Sequence, residues 1–216
     1  MLTTLLQPTS GTLNLNGKDV IEKPNDVRKE FGIVFQDPSL DDDLTAYENM
    51  EIHGILYNYP KNKLTDRINT LLNFVELWEK RDLLVKTFSG GMKRRLEIAR
   101  GLLHHPKILF LDEPTIGLDP QTRNHIWKYI SDMNKKEGTT IFFTTHYMDE
   151  AEKIAQKIAI IDHGKIVAEG TVSELMEKTN SKSLEEAFIA LSGHQIREED
   201  ASKGQFVKMW RGVGKR

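Results

Sequence analysis

Residues 87–119 read TFSGGMKRRLEIARGLLHHPKILFLDEPTIGLD, and the fold turns on how this stretch is read. Its first half opens with Ser89-Gly90-Gly91 and runs on as a helix. Met92, Leu96, Ala99 and Leu103 recur at helical spacing and mark one face. Lys93, Arg94, Arg95 and Arg100 fall mostly on the other faces. Ser89 suits the N-cap, and Gly90-Gly91 leave the first backbone N–H groups uncovered. Two readings stand at this point. One is an ordinary capped amphipathic helix. The other is a helix start that binds an anion, through its orphan donors and its dipole.

The second half carries Ile108-Leu109-Phe110-Leu111 and then two adjacent carboxylates, Asp112 and Glu113. Bulky apolar residues in succession predict a strand buried on both faces, hence a parallel sheet. Asp112 and Glu113 then lie at its carboxyl end, where open α/β sheets bind ligands. One carboxylate there can hold Mg²⁺ through water beside a phosphate. The next can act as base toward an attacking water. A solvated turn is the plain alternative.

Taken together, these residues resemble the nucleotide-binding domain of ABC transporters. Ser89-Gly90-Gly91-Met92-Lys93 resembles that family's signature motif, with Met92 where Gln is usual. Ile108 to Glu113 resembles its Walker B strand, and Gly117-Leu118-Asp119 its D-loop. The resemblance implies Mg·ATP hydrolysis that drives transport through a membrane-spanning permease. It also implies ATP held between two nucleotide-binding domains packed head to tail. On that pattern Glu113 is the general base and Asp112 the Mg²⁺ holder. Ser89, Gly90, Gly91 and Asp119 are nucleotide-binding positions.

The bulk numbers fit. The chain has 216 residues, enough for a sizeable core. Lys and Arg total 30 against 32 Asp and Glu, a formal net charge of -2, which argues against a nucleic-acid binder held by bulk charge. There is no Cys, so neither disulfides nor a Cys metal site; this fits a cytoplasmic setting. No apolar run approaches the ~18 residues a membrane span needs, and Met1-Leu2-Thr3-Thr4-Leu5-Leu6 is not a signal peptide. Any membrane role is therefore expected through a partner, with the protein peripheral on the cytoplasmic face.

In chain order, residues 1–6 read as the last turns of a helix stopped before Pro8. Residues 12–15 alternate and end at Asn16-Gly17, a hairpin signal. In the resembled family such a start follows a phosphate-binding loop, G-x-x-x-x-G-K-[ST]. No such loop occurs in these residues, nor the strand before it: Gly17-Lys18, Gly164-Lys165 and Gly214-Lys215 are the Gly-Lys pairs, and none is followed by Ser or Thr. Residues 33–35 are a buried strand ending at Gln36, which matches the family's Q-loop, a contact to Mg²⁺ and to the attacking water. Without the downstream motifs Gln36 reads first as a polar strand cap.

Residues 41–86 form a helical insert. Thr45 with Glu48 makes a capping box, and a second helix follows around residues 64–75. Asp41-Asp42-Asp43 reads as a solvated approach to a helix rather than a metal cluster. Asp119 and Pro120 supply the cap and first position of the next helix. Residues 140–143 read as another buried strand, delivering His146, which resembles the family's switch His and is placed to meet a γ-phosphate. His104 and His105 read as helix C-terminal residues favourable to the dipole. Residues 158–161 and 166–168 flank an Asp162-His163-Gly164-Lys165 turn. Thr171 with Glu174 and Ser183 with Glu186 are further capping boxes.

Ser183 to Phe188 and Phe143 to Ala151 resemble drug-exporter ABC ATPases of the daunorubicin-resistance type. Past Gly193, Lys203, Lys208, Arg211, Lys215 and Arg216 stand with Phe206 and Trp210 in a basic end. It reads as a frayed terminus or as a contact to anionic lipid.

The expected fold is α/β and P-loop NTPase-like (RecA-like). It is a mainly parallel sheet with a helical signature subdomain, missing the first strand and the phosphate loop. Residues 1–40 and 87–170 are expected to form the partial ATPase core, 41–86 the helical subdomain, and 171–216 C-terminal helices and tail. Expected ligands are ATP and Mg²⁺, and expected partners a permease subunit and a second nucleotide-binding domain. The expected function is the ATP-binding subunit of an exporter, inactive alone because the phosphate loop is absent. The alternative is a non-hydrolysing partner or fragment that only donates the signature motif.

Overall fold

The computed structural model describes residues 1–193, which form two compact units, Met1–His146 and a second beginning at Tyr147. The basic end past Gly193 lies outside the described residues.

The first unit is organised around a parallel sheet of β3 (Phe31–Val34), β4 (Ile108–Asp112) and β5 (Thr140–Thr144), with β4 in the middle. Phe31 pairs with Ile108 and Val34 with Leu111; Asp112 pairs with Thr144. Leu109, Phe110 and Leu111 are buried, as a central parallel strand requires. β5 departs from expectation. It is not a buried strand: Phe142 is 52% exposed, because β5 ends the sheet and has a hydrogen-bonded neighbour on one side only among the described residues.

Before the sheet come β1 (Asn14–Leu15) and β2 (Lys18–Asp19), joined by Asn16 and Gly17 at φ 50° and 75°. Positive φ at both loop residues gives the tight hairpin that Asn-Gly predicts. The short helix α1 (Pro24–Arg28) follows, and Leu15, Val20, Val27, Phe31 and Phe110 close a small core. Residues 1–6 are turns rather than a helix. Thr4 sits at φ 60°, outside the right-handed helical region.

The helical part comprises α2 (Ala46–Leu56), α3 (Lys61–Phe74) and α4 (Gly90–Gly101), packed on one another. Thr45 and Glu48 form the predicted reciprocal capping box. Leu64, Ile68, Leu71 and Leu72 line the buried stripe of α3, each stabilising by roughly 1.5–3 kcal/mol relative to exposure. Arg67 joins them in the core. It donates to the carbonyls of Leu102 and Leu103 and, as a fork, to Glu137 at 2.7 and 3.1 Å. Helix α4 meets β3 backbone to backbone: a Cβ on Gly32 would stand 2.1 Å from the Gly101 carbonyl oxygen.

His104 does not serve a helix dipole. It sits past the end of α4, donating from Nε2 to the Phe31 carbonyl at 3.0 Å and stacking on Tyr57 at 3.9 Å between ring centres. Burial holds it neutral, with its pKa lowered to about 4. His53 on α2 lies 6.0 Å from it between ring centres; burial first, then the Arg100 charge, lowers its pKa to about 3. His105 instead approaches Glu137 at 3.4 Å.

Asp119 caps α5 (Pro120–Glu137), whose apolar face buries Ile126, Trp127, Tyr129, Ile130 and Met133; Gly138, at φ 67°, ends it in the left-handed conformation.

The second unit holds α6 (Met148–Ile154), the antiparallel hairpin β6 (Ile158–Asp162) and β7 (Lys165–Gly170), then α7 (Val172–Thr179) and α8 (Leu184–Ser192). Its core is Ala151, Ile160, Ala168, Leu175 and Leu184. Thr171 and Glu174 form a full capping box, whereas Ser183 makes half of one: Glu186 turns its carboxylate to the Lys182 amide.

Candidate functional site

The parallel register delivers the carboxyl ends of three strands to one side of the sheet. Gln36 follows β3, Asp112 and Glu113 close β4, and His146 follows β5, each within two residues of its strand. Thr144, which the sequence reading passed over, ties them together. Its hydroxyl donates to Asp112 Oδ1 at 2.6 Å and accepts from the Glu113 amide at 3.1 Å. It is the residue paired with Asp112 in the β4–β5 register, which is why it can reach both.

Glu113 is the conformational exception. It stands at φ 46°, a left-handed backbone that a non-glycine residue adopts only where its surroundings hold it. The cost is on the order of 1–3 kcal/mol. The twist turns its side chain toward β5. Its Oε2 lies 2.8 Å from Nδ1 of His146, an ion-pair distance, yet that oxygen accepts no aligned hydrogen bond. The contact brings the Glu113 carboxylate and the His146 ring together at the ends of β4 and β5. Glu113 is 20% exposed and His146 55%, so the pair borders solvent.

These groups suit a hard cation. Asp112 and Glu113 offer carboxylate oxygens and Gln36 an amide oxygen, the donor class Mg²⁺ takes. Among the described residues no three His, Cys, Asp or Glu side chains are grouped to hold a metal by themselves. Mg²⁺ at such a place would take its remaining ligands from water and phosphate, as it usually does.

Behind the site lies a buried charge pair on α4, Arg94, which the sequence set off the apolar stripe, and Glu97, which it did not single out. Arg94 is 7% exposed and Glu97 1%. Helix α4 is wedged between β3 and the helical part, so nearly every face of its middle turns is covered, and a two-sided amphipathic reading fails there. The Arg94 guanidinium donates to the carbonyls of Phe35 (2.5 Å), Gln36 (3.1 Å) and Glu113 (3.3 Å). Its Nη1 also stands 3.3 Å from Glu97. Glu97 accepts from the Ser39 amide at 2.8 Å and from its hydroxyl. Arg100 holds the Ser39 carbonyl at 2.8 Å. Burial pushes the Glu97 carboxyl up and pulls the Arg94 guanidinium down. The sequence signal was present: Arg94 and Glu97 are three apart, a helical ion-pair spacing.

The start of α4 is as read. Ser89 caps it, accepting from the Met92 amide at 3.3 Å. A Cβ on Gly91 would meet Thr122 Cγ2 at 2.7 Å, and Thr122 cannot turn aside because its hydroxyl is bound to Asp119 at 2.6 Å. Asp119 spends its carboxylate on capping α5, accepting from the Gln121 and Thr122 amides. Those bonds, the Thr122 hydroxyl first, hold its carboxyl below the usual range. The cavity beside Ser89 and Gly91, lined also by Arg95, Thr122 and His125, measures about 160 Å³. That is well under the ~300 Å³ at which small-molecule pockets begin. The helix start does not form a small-molecule pocket by itself. Asp41, Asp42 and Asp43 are far from a metal arrangement; Asp42 and Asp43 pair with Lys93 and Lys86.

Comparison with known proteins adds three findings. The sequence profile of the family described as ABC transporter matches residues 1–116. The daunorubicin/doxorubicin resistance ATP-binding protein DrrA of Streptomyces peucetius is 44% identical over 85% of this chain and 56% of its own length. The Nod factor export ATP-binding protein I of Cupriavidus metallidurans is 40% identical over 82% of this chain and 58% of its own. Among solved structures, an ATP-binding subunit of an ABC transporter superposes with a TM-score of 0.78 at 25% identity, covering 89% of this chain and 80% of that one. The chain thus spans little more than half the length of these curated relatives.

Proposed function

The chain belongs to the ABC transporter family, and from that premise we propose that it acts as an ATP-binding subunit of an exporter, coupling Mg·ATP binding and hydrolysis to transport through a membrane-spanning permease. The observation that carries the reading is the contact of Glu113 with His146 beside Asp112, at the carboxyl ends of β4 and β5. Export as the direction is supported by the names of the relatives alone. No described helix is long and apolar enough to cross a membrane. The reading has a membrane-spanning permease as partner and this protein at the cytoplasmic face.

In this reading Asp112 holds Mg²⁺, with Gln36 as a further oxygen contact. Mg²⁺ would supply charge neutralisation of the phosphates. Glu113 takes a proton from the attacking water through its carboxylate. His146 steadies the Glu113 carboxylate, and through its exposed face meets the γ-phosphate. Ser89, Gly90 and Gly91 present bare amides to a nucleotide held by a second nucleotide-binding domain packed head to tail. Asp119, by capping α5 and pinning Thr122 against Gly91, shapes that surface from behind. Residues 1–40 and 87–170 are taken as the ATPase core, 41–86 as the helical subdomain and 171–216 as C-terminal.

A second reading follows from one observation: these residues contain no G-x-x-x-x-G-K-[ST] loop. A complete site needs that cradle from residues outside them, since positioning and charge stabilisation are most of what such an enzyme contributes. The chain would then be a partner that donates Ser89–Gly91 and hydrolyses nothing itself. One experiment separates the readings. ATPase activity is measured for this chain alone, then mixed with a copy that carries the loop but a broken signature. Activity restored in the mixture and abolished by Ser89→Arg supports the donor role. Activity of a loop-bearing version that Glu113→Gln abolishes supports the full enzyme. Parent-like turnover by Glu113→Gln rules Glu113 out as the base.

A further inference from the structure

Two sets of residues in this chain have separate assignments under the reading above, on which this inference rests. Ser89–Gly91 at the start of α4 serve a nucleotide held by a second copy. Gln36 and Glu113 serve the chain's own. One buried guanidinium touches both sets. Arg94 lies on α4, about one turn past Ser89, and donates to the carbonyls of Phe35, Gln36 and Glu113.

We infer that Arg94, held by Glu97, is a positioning residue that transmits displacement of α4 to Gln36 and Glu113, and so couples the chain's two nucleotide-facing surfaces.

Three features support it. First, the guanidinium is a planar fork that holds three carbonyls at once, and burial confines the arm that carries it, so a shift of the helix is passed to those acceptors together. Secondly, both members of the pair are almost wholly buried, and a buried charge cannot let go of its partners without a large desolvation cost. Thirdly, the acceptors are strategic. The Glu113 carbonyl belongs to a residue at φ 46°, and that peptide is gripped from both sides, by Arg94 at its carbonyl and by the Thr144 hydroxyl at its amide. Release of one grip lets Glu113 relax from the left-handed conformation that aims its carboxylate at His146. Glu97 extends the same device to Ser39, and Arg100 backs it from the next turn of α4.

The test is amide hydrogen exchange on the full chain without nucleotide, read by mass spectrometry. The amides of Ser39, Glu113 and Ile116 report, since they bond to Glu97, Thr144 and the Glu113 carbonyl. Arg94→Lys keeps the charge and loses the fork. It is expected to speed exchange at 35–39 and 113–116 by roughly tenfold while α3 and α5 stay near the parent. Positioning is then separated from mere support by a cycle with Ser89→Arg, which disturbs the start of α4. In the parent background Ser89→Arg alters exchange at 113–116 several-fold, by roughly the factor a lost helix cap is worth. In the Arg94→Lys background that effect disappears. An effect of Ser89→Arg that is equal in both backgrounds, or absent from both, overturns the inference. So does a uniform rise across the chain in Arg94→Lys. Should Arg94→Lys not melt cooperatively, Glu97→Gln takes its place in the cycle with the same expected outcomes. Because no nucleotide is present, failure here leaves the ATP-binding reading standing, and failure of that reading leaves this result intact.

Discussion

Acid should unfold this protein through two histidines, and the size of the effect follows from their burial. His53 and His104 are held neutral in the fold, with pKa values lowered to about 3 and about 4 from 6.5. In the unfolded chain both return to about 6.5. A folded pKa below the unfolded one means stability that is present above the unfolded value and lost as pH falls toward the folded one. The window therefore opens near pH 6.5 and runs down toward pH 4 and 3. From ~pH 7.5 to ~pH 5 each histidine should withdraw about 2 kcal/mol, and the two together about 4 kcal/mol. That is a large part of the ~5–15 kcal/mol that holds a typical domain. Glu97 acts the other way, because a carboxyl pushed up by burial costs stability at high pH and stops doing so as it protonates. The informative comparison is therefore parent against His53→Phe, in which Glu97 is common to both. His53 Nε2 is buried without a hydrogen-bond partner, so Phe loses no bond and keeps the ring packing against Tyr57. Urea unfolding at ~pH 7.5 and ~pH 5 gives the two stabilities. His53→Phe should be as stable as the parent or better at the higher pH, and should lose about 2 kcal/mol less on acidification. Equal losses in parent and variant would refute the reasoning, and would mean that water or a relaxed loop solvates the imidazolium.

Two further perturbations test the packing that positions the site. Gly32→Ala puts a Cβ 2.1 Å from the Gly101 carbonyl, a backbone atom that cannot rotate away, so α4 must lift from β3. Denaturant unfolding should show a loss of ~3 kcal/mol or more, or an insoluble product; a parent-like midpoint would show that the helix slides at little cost. Arg67→Met strips the Leu102 and Leu103 carbonyls and Glu137 of their shared donor, and should cost ~2–4 kcal/mol in the same assay, with Glu137→Gln in that background recovering part of it.

Much of the site could be read directly from residue order. A bulky run followed by Asp112-Glu113 predicts a buried parallel strand with carboxylates at its carboxyl end, and β4 is that strand. Ser89 before a helical stripe, Thr45 with Glu48, Asp119 with Pro120, and Asn16-Gly17 are local signals. Each is decided within a few residues by backbone hydrogen bonds and allowed φ, and each appears where the sequence put it. Local signals also overreach: residues 1–6 are turns rather than the end of a helix, and Ser183-Glu186 completes only half its box because the Lys182 amide competes.

What the sequence left open depends on which residues from distant segments come to share a space. The outside of α4 looks basic and solvated in a helical projection. Only the packing of that helix against β3 and the helical part turns Arg94 and Glu97 inward and gives them the Phe35, Gln36 and Glu113 carbonyls and Ser39. Phe142 belongs to an apolar run, but it is half exposed where β5 has a neighbouring strand on one side only among the described residues, a matter of strand order and not of composition. Thr144 is one threonine among several until the β4–β5 register sets it opposite Asp112. The left-handed turn at Glu113 has no glycine or asparagine to announce it. Arg94 and Thr144 bond to that residue at its carbonyl and its amide, and only the folded sheet brings those two together.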